Sequence, residues 1–168
     1  MPRGKTLLPE MDEDELMAML TASVDNKIKR ANKVIITGDR EWTDITVIKF
    51  AVKSYLEPGG TLVHGGARGA DTIAGEVASQ LGCTVLTYPA EWHMLGGMAG
   101  LVRNELMVVE HGDAGYVLAF HDDLLGSSRG TFDMVYRVCI PRGLRVVLFE
   151  HTDDCFSSRE LSNDNWNM

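Results

Sequence analysis

Three glycines within five positions, Gly65, Gly66 and Gly69, have the spacing best suited to binding an anion. They stand between a short apolar run that ends at His64 and an amphipathic stretch that begins at Ala70. Glycines between a strand and a helix predict backbone N–H groups exposed at the positive end of the helix, an arrangement that suits phosphate. The pattern is neither the dinucleotide-binding GxGxxG nor a P-loop, because no Gly-Lys-Ser/Thr follows.

The same turn carries three further residues that we expect at the ligand: Ala67, Arg68 and Asp71. The backbone of Ala67 and the guanidinium of Arg68 are expected to contact the anion. Asp71 caps the following helix, and as an alternative or in addition it accepts a ribose hydroxyl.

Arginine suits phosphate because its guanidinium forms two parallel hydrogen bonds. Arg40, Arg68, Arg103 and Arg129 all lie in segments that follow predicted strands. Parallel strands bring such segments to one edge of a sheet, so we expect the four side chains to converge. Residues 16–149 contain only 13 bases, and four of them at one edge imply a ligand with more than one phosphate or acidic group.

The turn after the first predicted strand contains two more candidates beside Arg40. Gly38 allows a tight turn and a close approach of the backbone to a ligand. Trp42 either stacks on a base or covers the edge of the sheet.

Two pairs of residues lie at predicted helix starts. Asn104, together with Arg103, either holds a phosphate and a sugar or base edge or belongs to a solvated helix face. Thr131, which follows Gly130, either caps its helix or donates its hydroxyl to a phosphate.

The elements that must position these residues are short apolar runs that alternate with helical patterns. Strands that are apolar on both faces predict a parallel sheet covered by helices on both sides. We therefore predict an α/β fold, a Rossmann-like three-layer sandwich with a five-stranded parallel sheet in the order 3-2-1-4-5. The ligand is expected where the strand order reverses, between strands 1 and 4. The predicted strands are 34–37, 61–64, 84–87, 116–120 and 145–149, and the helices 44–56, 70–81, 99–110 and 131–140.

Three segments are predicted along the chain. Residues 1–32 form a tail and an extra N-terminal helix, which runs from Met11 to Asn32 and has an apolar stripe. Residues 33–150 form the nucleotide-binding domain. Residues 151–168 form an acidic, polar tail that is expected to be flexible or to contact a partner.

The net charge of −8 comes from the two ends of the chain. Residues 10–15 hold five acids and residues 150–168 another five, whereas residues 16–149 hold 14 acids against 13 bases. A nearly neutral body gives no electrostatic footprint for duplex DNA or an anionic membrane, so we expect neither as a partner.

The remaining composition indicates a cytoplasmic protein that needs no metal or cofactor. The three cysteines are isolated, which fits a reducing compartment. No apolar run approaches the ~18 residues that a membrane span needs. The five histidines are scattered without metal-ligand spacing.

Six sequence blocks, in order, resemble the YspA/YpsA-related branch of the SLOG superfamily, which also contains DprA-like and LOG proteins. The resemblance covers about residues 33–149. It implies a Rossmann-like fold and a nucleotide or nucleotide-derived ligand, held by the glycine turn, by Arg103 and Asn104 and by Gly130 and Thr131, with Trp92 also at the ligand. The six blocks are 38–44, 64–71, 88–92, 99–107, 119–120 and 130–134.

The resemblance leaves catalysis open. LOG enzymes, which cleave a base from ribose 5′-phosphate, have a PGGxGTxxE motif with a catalytic glutamate and use an arginine that corresponds to Arg103. Met134 stands in place of that glutamate, and the proline and the double glycine are missing. Asp133 or Glu105 would have to supply the acid, although one residue along a helix is a rotation of ~100°.

Three functions follow from these patterns. The first is a sensor or sequestering protein for an ADP-ribose-like or cyclic nucleotide signal, in phage–host or stress signalling. The alternative is a phosphoribohydrolase of the LOG type, and a weaker alternative is single-stranded nucleic-acid binding of the DprA type. A homodimer or homotetramer is expected from the resemblance and from the apolar stripe of the N-terminal helix.

Overall fold

A single six-stranded sheet organises the computed structural model, which describes residues 28–162 together with Asp12 and Asp14. The strand order is β3-β2-β1-β4-β5-β6; the first five strands are parallel, and β6 is antiparallel to β5. The strands are β1 (Ala31–Gly38), β2 (Leu56–His64), β3 (Thr84–Thr87), β4 (Tyr116–Phe120), β5 (Val146–His151) and β6 (Phe156–Leu161).

Helices connect the parallel strands. The N-terminus of α1 is capped by Asp44, whose Oδ1 accepts the N–H of Val47 at 3.3 Å. The last helical segment changes from α-helical to π-helical along its length, an irregularity often found at functional sites. The helices are α1 (Ile45–Tyr55), α2 (Ala70–Gln80), α3 (Trp92–Leu95), a 3₁₀ turn (Gly96–Met98), α4 (Ala99–Glu110) and α5 (Gly130–Phe132), which continues as a π-helix (Asp133–Cys139) and a 3₁₀ turn (Ile140–Arg142).

Two apolar layers enclose the sheet. Alternate residues of β1 point to opposite faces, so Val34 and Ile36 pack in one core with α1 and α2. Ile35 packs in the other core with α4 and the helical segment that follows Gly130. All three of these β1 side chains are fully buried, as expected for a central strand of a parallel sheet.

The predicted order of the first five strands is confirmed, and the sheet has the Rossmann-like arrangement. The predicted number of strands is wrong, because β6 adds a sixth. Residues 156–161 pair with β5, and their two apolar side chains, Phe156 and Leu161, pack against opposite cores. The prediction of a flexible or partner-contacting tail is therefore wrong for these residues.

The start of β1 corrects a second boundary. Ala31 and Asn32 belong to this strand, although the extra helix was predicted to continue through Asn32. Most of that predicted helix lies outside the described residues, as do residues 163–168. None of the helices in the described part of the chain has the length and apolarity that crossing a bilayer requires.

Candidate functional site

The carboxyl ends of the parallel strands open into a cleft of about 610 Å³. Its walls come from the turns that follow β1, β2 and β4 and from the segment that contains α3 and the start of α4. All four predicted arginines line this cleft. The predicted site residues that line it are Gly38, Arg40, Gly65, Ala67, Arg68, Asp71, Trp92, Arg103, Asn104, Gly130 and Thr131.

Trp42 does not line the cleft. Its side chain is only 4% exposed, and its ring stacks on His151 with centroids 4.5 Å apart. The edge of Phe120 also contacts it, and the indole N–H donates to the backbone carbonyl of Asp44 at 2.9 Å. The structure therefore supports the alternative in which Trp42 covers the sheet, and a base could not stack on it without displacing His151.

Gly69 also lies outside the cleft lining, and its role is in backbone packing. Its φ is +79°, and a Cβ there would collide with the carbonyl oxygens of Asp39 and Arg40. The next residue, Ala70, donates its N–H to the carbonyl of Asp39 at 3.1 Å. Gly69 thus lets the β1–α1 turn pack directly against the start of α2.

The carboxylate of Asp71 accepts hydrogen bonds from the backbone of the glycine turn. Its Oδ2 accepts the backbone N–H of Gly65 at 3.0 Å and that of Ala67 at 3.3 Å. The N–H of Gly66 donates to Nδ1 of His64 at 2.9 Å. Contrary to the prediction, the three N–H groups are not free to hold a ligand anion, and Gly66 itself does not line the cleft.

Burial dominates the electrostatics of Asp71, which is 6% exposed. Removal from water raises the pKa of this carboxyl to about 6, although the Arg103 guanidinium, the turn N–H groups and Arg40 act in the opposite direction. His64 shows the complementary effect: burial and the nearby Arg103 lower its pKa. A neutral His64 keeps Nδ1 as an acceptor for the N–H of Gly66.

Arg103 joins three parts of the site. Its Nη1 donates to the carbonyl of Gly65 and, at 3.4 Å, to the carbonyl of Tyr88. Its Nε donates to Oδ1 of Asn104 at 3.0 Å. Burial lowers the pKa of Arg103 and Arg40 adds to this effect, whereas Asp71 opposes it. Arg103 therefore fixes the glycine turn against α4 and also presents positive charge to the cleft.

Asn104 holds the start of the last helical segment in place. Its Nδ2 donates to Oδ2 of Asp133 at 3.2 Å and to the carbonyl of Gly130 at 3.3 Å. Because Asn104 is 5% exposed, the alternative of a solvated helix face is wrong. The amide makes these bonds beneath the cleft and so positions the Gly130–Thr131 turn.

The two acids predicted for catalysis lie away from the cleft. Asp133 is buried beneath Asn104 and does not line the cleft. Glu105 is exposed and pairs with Arg142 at 3.0 Å on the surface of α4. Met134, at the position of the LOG glutamate, is fully buried. Neither Asp133 nor Glu105 therefore lines the cleft.

Thr131 keeps a free hydroxyl at the cleft. Ser128 supplies the side-chain acceptor at this helix start instead, since its Oγ accepts the N–H of Phe132 at 3.1 Å. Within residues 28–162 the Thr131 hydroxyl has no hydrogen-bond partner. A Cβ on Gly130 would meet no atom within 4 Å, so this part of the wall is open.

His121 and Asp39 are cleft residues that the sequence prediction did not include. Nδ1 of His121 accepts the N–H of Asp123 at 2.9 Å, so this ring nitrogen is an acceptor. Nε2 of the same ring lies 4.0 Å from Oδ2 of Asp39. The position of His121 in the sequence could have indicated its place in the cleft, because His121 directly follows β4, just as His64 ends β2. Across the described residues, no group of three or more His, Cys, Asp or Glu is arranged to hold a metal ion.

A parallel α/β sheet with an arginine-lined cleft where its strand order reverses defines a Rossmann-like protein. Comparison with known sequences narrows this class. The profile of the YspA, cpYpsA-related SLOG family matches residues 32–94. The Gene 61 protein of Mycobacterium phage D29 is 41% identical over an alignment of 107 positions, and the match covers 59% of this chain and 82% of that protein. The chain belongs to the YspA, cpYpsA-related SLOG family.

Proposed function

We propose that the cleft binds a nucleotide or nucleotide derivative, of the ADP-ribose-like or cyclic class, and that the protein senses or sequesters it. The observation that carries this proposal is the convergence of Arg40, Arg68, Arg103 and Arg129 on one cleft. Membership of the SLOG family supports a nucleotide-related role.

The charges of the cleft favour an anionic ligand. Arg68 is paired with Glu41, but Arg40 and Arg129 form no ion pair with a carboxylate among residues 28–162. Unpaired guanidinium groups can form charge-assisted, bidentate hydrogen bonds with phosphate. The free hydroxyl of Thr131 adds a donor beside Arg129. The phosphate groups are therefore assigned to the part of the cleft that carries Arg129 and Thr131, rather than to the glycine turn that Asp71 fills.

Isothermal titration with AMP, ADP-ribose and cyclic AMP tests the proposal. Arg129→Ala is expected to weaken binding about 10-fold to 100-fold, because each lost charged hydrogen bond is worth about 1.5–3 kcal/mol. Arg137→Ala is the matched control, since Arg137 is an exposed arginine outside the cleft. No binding of any of the three compounds, or equal losses in the two variants, would contradict the proposal.

One observation favours an N-glycosidase as a second candidate. Asp71 is a buried carboxyl with a pKa of about 6 that lines the cleft beside Arg103. A pKa near neutrality suits general acid–base chemistry on a leaving base. Against this candidate, Oδ2 of Asp71 is already committed to two backbone N–H groups.

Chromatography after incubation with AMP and CMP separates the two functions. Binding without release of free base supports the sensor or sequestering role. Release of free base that disappears in Asp71→Asn would establish the enzyme instead. Circular dichroism of the variant checks that its loss of activity does not follow from unfolding.

A further inference from the structure

Trp92 presents a half-exposed indole at the mouth of the cleft. Its side chain is 49% exposed, and the guanidinium carbon of Arg40 lies 5.7 Å from the centre of its ring. Both residues line the cleft, Arg40 from the turn after β1 and Trp92 from α3. They therefore form a cation–π pair at the site entrance.

The segment that carries Trp92 is not anchored in either core. Every residue from 91 to 98 is exposed, and α3 and the following 3₁₀ turn bury no side chain. The indole instead faces Gly100, where a Cβ would lie 3.4 Å from Cη2 of the ring. A large apolar ring held on such a segment gains burial when a ligand enters the cleft and covers it.

We propose that Trp92 and Arg40 form the recognition site for the aromatic base of the ligand, with the base stacked on the indole and the guanidinium. This inference rests on the proposed function and adds the residues that bind the base. An aromatic base and a guanidinium both stack on an indole face, and the long side chain of Arg40 can move to cover the inserted ring. Trp42, the other tryptophan near the site, cannot serve in this way because the ring of His151 already stacks on it.

The surroundings of Trp92 favour stacking over reading of the base edges. The next three cleft residues along the chain, Gly97, Gly100 and Leu101, have no side-chain hydrogen-bonding group. Stacking tolerates any base, because every base has a π-face. We therefore expect AMP and GMP to bind within about threefold of each other.

Binding of AMP and of ribose 5-phosphate to the same variants tests the inference, because the two ligands share the sugar phosphate and differ in the base. Trp92→Ala is expected to weaken AMP about 10-fold to 100-fold and to leave ribose 5-phosphate unchanged. Trp92→Phe, which keeps an aromatic face, should restore most of the AMP affinity. Met94→Ala is the matched control, since Met94 is 70% exposed on the same helix and does not line the cleft.

The outcomes separate this inference from the proposed function. Equal losses for the two ligands in Trp92→Ala, or no loss for AMP, would overturn base stacking while leaving nucleotide binding in place. A preference of more than tenfold between AMP and GMP would also overturn it. Failure of the unchanged protein to bind any of AMP, ADP-ribose, cyclic AMP and ribose 5-phosphate would remove the proposed function and this inference together.

Discussion

The carboxylate of Asp71 accepts the backbone N–H of Gly65 at 3.0 Å, across the turn that joins β2 to α2. An internal carboxylate thus stands where the glycine pattern predicts a ligand phosphate. The turn is stabilised in the same way that a bound anion would stabilise it. A ligand anion is left with the arginines of the cleft and with the Thr131 hydroxyl, which follows β4 on the other side of the strand-order reversal.

Asp71 gives a prediction for the pH dependence of stability. Its pKa rises from 3.8 to about 6 on folding, so the folded protein binds the proton more tightly than the unfolded chain. This contribution to the free energy of unfolding is present below pH 4 and is lost as the pH rises to about 6, by of order 2–3 kcal/mol. Asp71→Asn has no such titration.

Urea unfolding at pH 4, 5, 6 and 7 measures this effect. The stability of Asp71→Asn relative to the unchanged protein should increase from pH 4 to pH 6 and then level off. Parallel stability profiles for the two proteins would show that Asp71 does not titrate differently in the folded state.

His151 predicts a second pH effect of the same sense, at higher pH. Its hydrogen bond to Asp122 raises the pKa of the imidazole, burial opposes this, and the bond to Asp44 adds to it. Both carboxylates lie 2.9 Å from a ring nitrogen. A raised histidine pKa contributes stability that is present below pH 6.5 and is lost as the pH rises through the higher folded value.

Thermal unfolding at pH 6 and pH 8.5 tests the His151 contacts. We expect His151→Gln to lower the melting temperature more at pH 6 than at pH 8.5. His93→Gln, which changes an exposed histidine of α3, should be neutral at both values. An equal effect of His151→Gln at the two pH values would assign its role to packing on Trp42 alone.

Substituting Gly69 by alanine should destabilise the protein through a steric collision as well as through its positive φ. The same substitution at Gly82, which has a similar φ and no such collision, measures the effect of φ alone. Gly69 and Gly82 have nearly the same φ, +79° and +78°, but only at Gly69 would a Cβ collide with backbone atoms. Gly82→Ala should lower the free energy of unfolding by about 1–2 kcal/mol through φ alone. Gly69→Ala should cost more than about 3 kcal/mol. Similar losses of stability in urea would contradict the close packing of the two turns.

The hydrogen bond between Asn104 and Asp133 predicts that a loss of stability caused by substituting one residue can be partly restored by substituting the other. Asn104→Asp would place two buried carboxylates 3.2 Å apart and should cost about 3–5 kcal/mol. Adding Asp133→Asn restores one amide and one carboxylate, so the double variant should recover part of this loss. A double-mutant cycle measured by urea unfolding gives the coupling energy, and additive effects would rule out the contact.

The parallel sheet was predictable because each of its strands contains an apolar run that stands out from its neighbours. The strand β6 was not predictable, because it contains no apolar run: its four central residues, Ser157, Ser158, Arg159 and Glu160, are polar and exposed. It forms through pairing with β5 and through ion pairs such as that of Arg159 with Glu150 at 3.1 Å, which a local pattern does not contain. Pairing with a distant strand overrides local preference here.

The convergence of the arginines was also predictable, because it follows from topology alone. The sequence could not show which polar groups remain free. Asp71 reaches back into the glycine turn, a matter of side-chain direction over a few ångströms. Trp42 and Trp92 both follow strands, and only tertiary packing decides that the first is buried and the second half exposed.

The antiparallel strand at the C-terminal end determines how the protein can be shortened or extended. Removing residues 156–161 would leave the outward N–H and C=O groups of β5 without partners, and a bare apolar margin of this kind invites edge-to-edge aggregation. In the intact protein the edge strand is β6, which has exposed serines. Its ion pairs, Arg145 with Glu160 and Arg159 with Glu150, also oppose edge-to-edge aggregation. Fusion tags for biochemical work therefore belong beyond Leu161, where they leave the polar edge strand β6 intact.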